Sequence, residues 1–454
     1  MDLYFIQMSN FILQSASELF YNLLHKIIFY IRVYSLNNAI ILSIITGVEV
    51  VQMLCQFSFR NFRSYKNGTT FDFQAETLPE FSDSLITFDK ASPLLPVSVI
   101  YGPNGGGKSN LLQALSCVIS LVTRPVFELQ KNRQHIIMQQ RAECRPFLFD
   151  RESRNQPTEF ELFFRRNSKE YRYLLSIFND EIVRESLYWR TLGGKRTGTV
   201  YEREGSDIRL GSKYNSAGIN HSVNPKMPYL SFLAINYNIP VIAEVQQWFE
   251  SCIVLNYANT DLDKRILIQE NPEASRRILH ALNDMDIDVM GYRYDRDNNK
   301  IYTQRKVDGE IYELDLLDES EGTKKLIRIL PMILLSLAEG RLAVIDEMDA
   351  KLHPKLLRYV ISLFTNKEIN TKGAQLLFTS QDMTTMKNTV FRRDEIWFAA
   401  ENGRHESELY SLYEIRREND ERVNNTAAYD KQYLEGRYGA DPYLRNMLAG
   451  DDWT

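Results

Sequence analysis

The sequence predicts an α/β fold, in which a central parallel sheet carries an antiparallel β lobe and a helical insertion. Three observations support this prediction. A β-branched run at 97–101 ends in a glycine-rich loop, and a helical pattern follows at once. A second apolar run at 341–345 ends in Asp346 and Glu347. Between the two runs lie stretches of alternating apolar and polar residues, typical of antiparallel strands, and segments with helical spacing.

The composition is that of an ordinary globular protein and excludes several classes. The 454 residues include 44% hydrophobic and 25% charged side chains, and the net charge of -5 gives no overall attraction to nucleic acid. Nucleic acid stays open as a partner only through a local basic face. The four cysteines (Cys55, Cys117, Cys144 and Cys252) form no C-x-x-C pair, which excludes a zinc ribbon and favours a reducing compartment. We therefore expect a cytoplasmic protein.

Residues 1–52 differ from the rest of the chain, because they are rich in Phe, Tyr, Ile and Leu and carry few charges. The acidic Asp2 and the lack of a small-residue cleavage site argue against a signal peptide. The longest charge-free run, 33–48, is short for a membrane span, so we expect no membrane partner. We expect either a packed helical extension or translated sequence upstream of a true start at Met53.

The glycine-rich loop has the pattern G-x-x-x-x-G-K-S. Phosphate oxygens must approach the main chain closely, so glycines leave room and successive amides form a nest for the anion. Lys108 would bring its charge to the β- and γ-phosphates, and the Ser109 hydroxyl would complete the shell of a Mg²⁺ ion. The pattern therefore predicts ATP and Mg²⁺ as cofactors. The expected nucleotide-binding residues of this loop are Gly102, Pro103, Asn104, Gly105, Gly106, Gly107, Lys108, Ser109 and Asn110.

The second apolar run ends in two carboxylates, which is a Walker B pattern. Asp346 would meet Mg²⁺ beside the phosphate loop, because α/β sheets bind ligands at the carboxyl ends of their strands. Glu347 would polarise the attacking water. Lys108 and Asp346 are 238 positions apart, too far for an uninterrupted small GTPase or AAA+ core. The two motifs must therefore bracket an inserted lobe, as they do in ABC-type ATPase heads.

Changes of periodicity divide the chain into five expected segments. These are the extension (1–52), the first half of the head with a β meander (53–225), a helical insertion (226–286), the second half of the head (287–410) and a tail (411–454). An alternating strand is predicted over 54–65, with a hairpin turn at 66–68. Further strands are predicted over 159–164, 170–177, 181–189 and 199–202, and a second meander between residues 290 and 316. Helices are predicted over 108–122 and, interrupted by Pro331, over 324–339. ABC-type heads place a glutamine on Mg²⁺ from the segment after the phosphate-loop helix, and four candidates lie there: Gln130, Gln134, Gln139 and Gln140.

ABC-type heads also carry a signature loop one helix before Walker B, which caps the γ-phosphate bound by the opposite protomer. Ser320 and Gly322 match the first and third positions of its S-G-G-Q pattern, while Glu321 and Thr323 depart from it. Ser320 has a simpler interpretation as a plain N-cap, since serine is common before a helix. Its place before Walker B favours the signature, and we expect Ser320, Gly322 and Thr323 to act in trans.

Gln381 ends the next buried strand, where most ABC-type relatives have a histidine that senses the γ-phosphate. Glutamine can hydrogen-bond phosphate or water, but it cannot carry a proton. We therefore expect Glu347 and Gln381 to be the catalytic residues and hydrolysis to be slow.

Several of these motifs together resemble a known family. The D-E-x-x-x-x-L-H-P run at 346–354, the S-E-G-T signature and a G-R-Y-G-A tail at 436–440 resemble the AAA15 group of OLD-like, ABC-type ATPases from anti-phage systems. The most similar layouts are the ATPase subunits of the two-gene PARIS, AbiL and Rlo systems. The opening N-F-R-S-Y segment is similar to RecF, SMC and Rad50 heads, which implies that Asn61 and Arg63 reach the nucleotide. A charged solvent face of a hairpin explains that segment equally well.

The resemblance implies a homodimer or higher homo-oligomer that senses infection, with a phage protein as trigger, and that holds or releases a separately encoded toxic nuclease. No second acidic cluster follows Walker B, so we expect no fused Toprim domain and no nuclease activity. The main alternative is a RecF-like repair ATPase that clamps DNA, and an ABC transporter subunit is a distant third. Salt-dependent DNA binding would favour repair, whereas a copurifying nuclease would favour defence.

Overall fold

The structure is a computed structural model that describes residues 52–129, 143–215, 218–255, 272–295, 297–298, 300–416 and 420–440. Three predictions fall outside these ranges. They are the extension up to residue 51, the four candidate glutamines (Gln130, Gln134, Gln139 and Gln140) and the tail beyond residue 440.

Strands and helices are distributed along the whole described chain. The described strands are β1 (Gln52–Arg60), β2 (Thr69–Asp72), β3 (Ile86–Phe88), β4 (Ala91–Leu94), β5 (Val97–Tyr101), β6 (Thr158–Arg166), β7 (Lys169–Phe178), β8 (Glu181–Thr191), β9 (Gly198–Glu204), β10 (Asp207–Leu210), β11 (Ile253–Leu255), β12 (Gly291–Asp295), β13 (Lys300–Val307), β14 (Glu310–Asp315), β15 (Leu342–Ile345), β16 (Gln375–Thr379), β17 (Ile396–Glu401) and β18 (Ser407–Ser411). The described α-helices are α1 (Lys108–Leu129), α2 (Arg151–Arg154), α3 (Tyr229–Asn236), α4 (Pro240–Ser251), α5 (Pro272–Asp284), α6 (Glu321–Glu339), α7 (Pro354–Thr365) and α8 (Tyr429–Leu434).

A six-stranded sheet in the order β11-β15-β16-β5-β17-β18 carries the motifs. Every neighbouring pair is parallel except β17 and β18 at the edge. Both faces of this parallel sheet are covered, by helices and by the antiparallel sheet described next. This explains why β5, β15 and β16 are continuous apolar runs. The carboxyl ends of these three strands meet at one edge, which brings the phosphate loop, the Asp346–Glu347 pair and Gln381 side by side.

A seven-stranded antiparallel sheet, in the order β10-β9-β8-β7-β6-β1-β2, forms the lobe beside it. The strands predicted at 159–164, 170–177, 181–189 and 199–202 correspond to β6 to β9, and the short β10 was not predicted. Residues of both sheets and of α1, α3 and α4 share one core, to which Phe57, Leu115, Leu162, Val344 and Leu377 contribute. The phosphate-loop helix α1 therefore packs against both sheets.

The other face of the parallel sheet forms a second core with α5, α6 and α7. Successive side chains of a strand point to opposite faces, so Val344 belongs to the first core and Ile345 to the second. The three-stranded antiparallel sheet β12-β13-β14 corresponds to the meander predicted between residues 290 and 316. A short 3₁₀ turn, Leu316–Asp318, then leads from this sheet towards α6. In the sequence, the signature segment therefore follows the last strand of this small sheet, β14, and precedes strand β15 of the parallel sheet.

Four local predictions differ from the structure. The strand expected over 54–65 ends at Arg60, because Asn61 (φ 55°) and Arg63 (φ 51°) adopt left-handed conformations that no strand accommodates. A loop at 61–68 replaces the expected tight turn. Helix α1 was expected to end at Val122 but continues through Pro125, and α6 runs through Pro331 without interruption. Each internal proline forgoes one amide hydrogen bond, which the burial of the two helices offsets.

Among the described residues, α1 is the helix that is long and apolar enough to cross a membrane. Its apolar positions, such as Leu111, Leu115 and Val118, are fully buried in the first core. The long apolar run of α1 is therefore explained by its place between the two sheets.

Candidate nucleotide-binding and hydrolysis site

The phosphate loop is packed so closely onto β17 and β18 that side chains are excluded at two of its glycines. Gly102 has φ 143°, and a Cβ there would lie 2.0 Å from the carbonyl oxygen of Ala399. Gly107 has φ 106°, and its Cβ would lie 2.4 Å from Oγ of Ser407. Both positions need glycine for conformation and for space. The glycines of the sequence pattern thus allow the loop to fold flat against the sheet.

Lys108 is buried inside this loop, with only 7% of its surface exposed. Its Nζ donates to the carbonyl oxygens of Gly102 (2.7 Å) and Pro103 (2.9 Å). Burial lowers the pKa of Lys108, and the nearby carboxylates of Asp346 and Glu347 act in the opposite direction. The side chain therefore places an ammonium group within the anion nest, between the loop and the Walker B carboxylates.

Thr379, at the end of β16, holds the two Walker B residues together. Its Oγ1 donates to Oδ1 of Asp346 (2.6 Å) and accepts from the amide of Glu347 (2.7 Å). Glu347 has φ 48°, a left-handed conformation that is costly for a glutamate. The contact with Thr379 helps to maintain that conformation. Sequence reasoning missed Thr379, and the only local sign was a hydroxyl residue closing an apolar run.

Lys325, on α6, donates hydrogen bonds to the turn that follows Asp346. It is 5% exposed, and its Nζ donates to the carbonyl oxygens of Glu347 (2.7 Å) and Ala350 (2.7 Å). Burial lowers the pKa of Lys325 to about 8, although the carboxylates of Asp349 and Glu347 oppose the shift. The Asp349 carboxylate also accepts from the backbone amide of Gln381 at 2.8 Å. Lys325 was also missed from the sequence, where its only sign was a charge on the apolar side of a helix.

The signature segment is placed at the N-terminus of α6. Ser320 caps this helix, because its Oγ accepts from the amide of Thr323 at 3.1 Å and contacts the Thr323 hydroxyl at 2.8 Å. The Cα of Gly322 faces the turn after Walker B, so that a Cβ there would lie 3.1 Å from the Lys351 carbonyl oxygen. Hydrogen bonds from Lys324 and Lys351 lower the pKa of Glu321 to about 2. The N-cap interpretation is therefore observed, and the role in trans stays a prediction.

The side chain of Asn61 is engaged by residues outside the phosphate loop. Its side-chain amide donates to the carbonyl oxygens of Ser153 (2.7 Å) and Gln156 (3.0 Å), and its Oδ1 accepts from the amide of Phe147 (2.9 Å). This side chain is 2% exposed and leaves no donor for a nucleotide. The expected nucleotide contact is corrected accordingly, because Asn61 anchors the segment around residues 147–157.

Arg63 is likewise engaged outside the loop. Its amide donates to the carbonyl oxygen of Arg145 (2.8 Å), and its guanidinium lies 5.7 Å from the centre of the Phe62 ring. Its contact with a nucleotide stays a prediction. The residues of this segment that do touch the phosphate loop are its neighbours: Ser64 Oγ accepts from Nδ2 of Asn110 (2.7 Å), and the Tyr65 hydroxyl donates to the Gly107 carbonyl oxygen (3.2 Å).

A cleft of about 590 Å³ opens beside the phosphate loop, on the side of Gln381. Its walls come from the loop, the segment after β16, β17 and the C-terminal segment: Gly102, Pro103, Asn104, Gly106, Gln381, Met383, Ala400, Glu401, Tyr433, Leu434, Gly439 and Ala440. Two tyrosine hydroxyls hold the C-terminal segment in place. Tyr433 donates to the carbonyl oxygen of Ala440 (2.7 Å), and Tyr410 donates to the carbonyl oxygen of Tyr438 (2.6 Å). The G-R-Y-G-A motif of the tail is thus part of this cleft.

The sheet order and the placement of the motifs at one sheet edge define an ABC-type P-loop ATPase head, which confirms the predicted fold class. Residues 97–387 match the family described as "AAA domain, putative AbiEii toxin, Type IV TA system", and the chain belongs to that family. The narrower resemblance to the PARIS, AbiL and Rlo subunits stays a prediction. Each loop and Walker residue keeps its expected role as a prediction too.

Two solved structures show distant similarity. The SmcHead bound to the C-winged helix domain of ScpA is 12% identical, with a TM-score of 0.37, and the match covers 79% of this chain and 97% of that one. The SMC head domain from Thermotoga maritima is 15% identical, with the same TM-score of 0.37 and coverage of 79% and 98%. No curated protein matches the sequence.

Proposed function

We propose that this ATPase binds ATP at the edge of the parallel sheet and hydrolyses it slowly. The observation that carries the proposal is the hydrogen-bonded unit of Asp346, Thr379 and Glu347 next to the buried Lys108. The loop amides would bind the phosphates, and Lys108 would neutralise the β- and γ-phosphate charge. The role of Glu347 is to orient water, since its exposed carboxylate follows directly on the fixed Asp346.

The residues present fit a Mg²⁺ ion. Asp346 and Ser109 supply hard oxygen ligands, and the described residues contain no cluster of three or more His, Cys, Asp or Glu side chains that would hold a metal by themselves. One carboxylate and one hydroxyl, completed by phosphate and water, is the arrangement that Mg²⁺ takes in NTPases. When bound, the ion supplies positive charge to the β- and γ-phosphate oxygens. Thr379 keeps the Asp346 carboxylate oriented for this contact.

Gln381 supports slow turnover in this proposal. It lines the same cleft as Asn104, where an ABC-type head meets the γ-phosphate. Its backbone amide donates a hydrogen bond to Asp349, which leaves the side chain to face the cleft. An amide side chain orients a phosphate or water by hydrogen bonds but takes no proton. The ATP-bound state should therefore be long-lived.

We further propose that two chains associate head to tail around two nucleotides. Ser320, Gly322 and Thr323 would then meet the γ-phosphate of the opposite chain, using a hydroxyl and the amides of a helix N-terminus. The exposure of Ser320 at the start of α6 supports this arrangement. Higher homo-oligomers are compatible with the same contact.

In the cell, the proposed role is defence in the cytoplasm. The ATPase would hold a separately encoded toxic nuclease and release it when a phage protein triggers the assembly, without cutting nucleic acid itself. Support comes from the sequence resemblance to anti-phage ATPases and from the family description, which names a putative toxin of a type IV toxin–antitoxin system.

The test is copurification from the native operon, with mass measurement of the intact complex in ATP and in ADP. We expect a multimer of this chain that carries a second, nuclease-like polypeptide in ATP. A homogeneous assembly without any second polypeptide, together with salt-dependent binding of duplex DNA, would contradict the defence role and favour a repair ATPase.

A further inference from the structure

An aromatic pair lies exposed next to the phosphate loop. The ring of Phe149 is 75% exposed and lies 5.6 Å from the imidazole of His405, at an angle of 46°. Phe147 makes an edge contact with the Phe149 ring at 5.7 Å. A single exposed aromatic residue needs no explanation, but a ring that contacts two other rings presents its exposed face in a restricted orientation.

Contacts connect this pair to the loop at two points. The His405 ring is hydrogen-bonded to the Glu401 carboxylate, and Oε2 of Glu401 lies 3.9 Å from the position of a Cβ on Gly105. Ser407, two residues after His405, donates to Oγ of Ser64 at 2.8 Å, and that oxygen also accepts from the side chain of Asn110. The β17–β18 turn is thus connected to the rim of the loop through Glu401, which holds the imidazole.

The direction of a bound nucleotide follows from the charges. Lys108, Asp346 and Glu347 mark the γ-phosphate end, where Gln381 is expected, and the same cleft is also lined by Glu401, which holds His405. The nucleoside must therefore leave the loop at the opposite end, over the first turn of α1. Asn110 lies there, and its hydrogen bonds lead through Ser64 and Ser407 to the turn that carries His405.

We propose that Phe149 and His405 form the nucleobase platform of this site, on which the base of a purine nucleoside triphosphate stacks. The inference rests on the proposed nucleotide-binding function and adds the residues that hold the base. Glu401 is a positioning residue, because it fixes the imidazole without touching the base. Stacking on an aromatic face tolerates different bases, because every base has a π face. Purines should nevertheless bind better than pyrimidines, because their π surface is larger.

The test compares ATP with inorganic tripolyphosphate, both with Mg²⁺, as ligands of the full chain in calorimetric titrations. Phe149→Ala should weaken ATP binding by about ten-fold, since one base stack contributes on this order. Tripolyphosphate has no base, so its affinity should be unchanged. Phe149→Trp should retain ATP binding, and His405→Ala should lose part of it.

Phe81→Ala is the matched control, because Phe81 is also an exposed phenylalanine (42%), precedes a 3₁₀ turn, Ser82–Ser84, and is not among the residues that line the cleft beside the loop. It should leave both ligands unaffected. Unchanged ATP affinity in Phe149→Ala, or equal losses for ATP and tripolyphosphate, would overturn the platform alone. A wild-type chain that binds neither ligand would overturn the proposed function and the platform with it.

Discussion

The phosphate-loop half and the signature half of the site differ in how completely a single chain builds them. In the first half, Lys108 is buried in its loop and Thr379 fixes both Walker B residues by bonds of 2.6 and 2.7 Å. In the second half, Ser320 is exposed and its hydroxyl is engaged with Thr323 of its own helix. The first half thus has its charged groups held in place within one chain, whereas the Ser320 hydroxyl of the second half is engaged by its own helix.

The difference predicts a division of labour. A half-site whose charged groups are already positioned needs no partner to bind phosphate, since its reorganisation cost has been met in folding. A helix N-terminus that is closed by its own N-cap needs a phosphate brought to it before its hydroxyl changes partner. We therefore expect nucleotide binding in one chain and efficient turnover only in a pair of chains.

The largest effect is expected in the first half. Glu347→Gln should keep ATP binding and lower turnover by about 10²–10⁴-fold, because the proposed Mg²⁺ ligand Asp346 stays while the base is lost. Lys108→Ala should instead lose nucleotide affinity. Phosphate release and a nucleotide titration measure the two effects separately. Hydrolysis at the parental rate in Glu347→Gln would show that the role given to Glu347 is wrong.

The next effect separates the second half from the first. Ser320→Arg should leave ATP binding by the single chain intact but block ATP-dependent association, because the long cation fills the space meant for the partner's nucleotide. Light scattering with and without ATP measures association, best in a Glu347→Gln background that retains ATP. Ser82→Arg adds the same charge at another exposed serine and should associate normally. Association that is equal in both variants would remove the signature assignment.

Lys325 joins the two halves, since it lies on the signature helix and donates to Glu347. Its pKa falls from 10.5 to about 8 on folding, so between roughly pH 8 and 10.5 the unfolded chain binds more protons. The free energy of unfolding should therefore rise with pH in that window by up to ~3 kcal/mol. Below about pH 8 the cost of burying the charge applies in full.

The variant Lys325→Met removes this titration, so the rise should be absent when urea unfolding is compared with that of the parent across the window. The variant leaves the Glu347 and Ala350 carbonyl oxygens without this donor, which costs about 1–3 kcal/mol and opposes the gain from removing the buried charge at neutral pH. Lys324→Met removes a more exposed neighbour and should keep the parental slope. Equal slopes in the parent and Lys325→Met would show that the buried ammonium does not titrate in this range.

The fold followed from local patterns where one interaction dominated. Strands β5, β15 and β16 were recognisable because both faces of a parallel strand are buried and its carboxyl end carries the polar groups. The loop after Arg60 was misassigned because its apolar alternation continues through residues with positive φ, which alternation does not reveal. Helix α6 continued through Pro331 because tertiary burial outweighs the local preference.

The site was predictable only as far as its motifs. The glycine loop and the two Walker B carboxylates each follow a strand, so their meeting needed only the rule for strand ends. Thr379 and Lys325 act on residues 32 and 22 positions away, through contacts that depend on which strands are neighbours and how α6 packs. Asn61 was misplaced for the same reason, since its partner Ser153 lies 92 positions away.

The smallest effect concerns Gln381, where the first half ends and a partner's loop would close the site. Its backbone amide donates to Asp349, so the backbone is held in place and the identity of the side chain determines which group faces the γ-phosphate. Gln381→His should raise steady-state hydrolysis several-fold and shorten the lifetime of the ATP-bound pair, because imidazole takes up a proton near neutral pH. Gln381→Ala is the control that removes the hydrogen bond without adding a base, and it should not accelerate hydrolysis. If single-turnover rates of Gln381→His and the parent are equal in otherwise intact protein, slow switching does not originate at this residue, and the distinction between the two halves must rest on Ser320 alone.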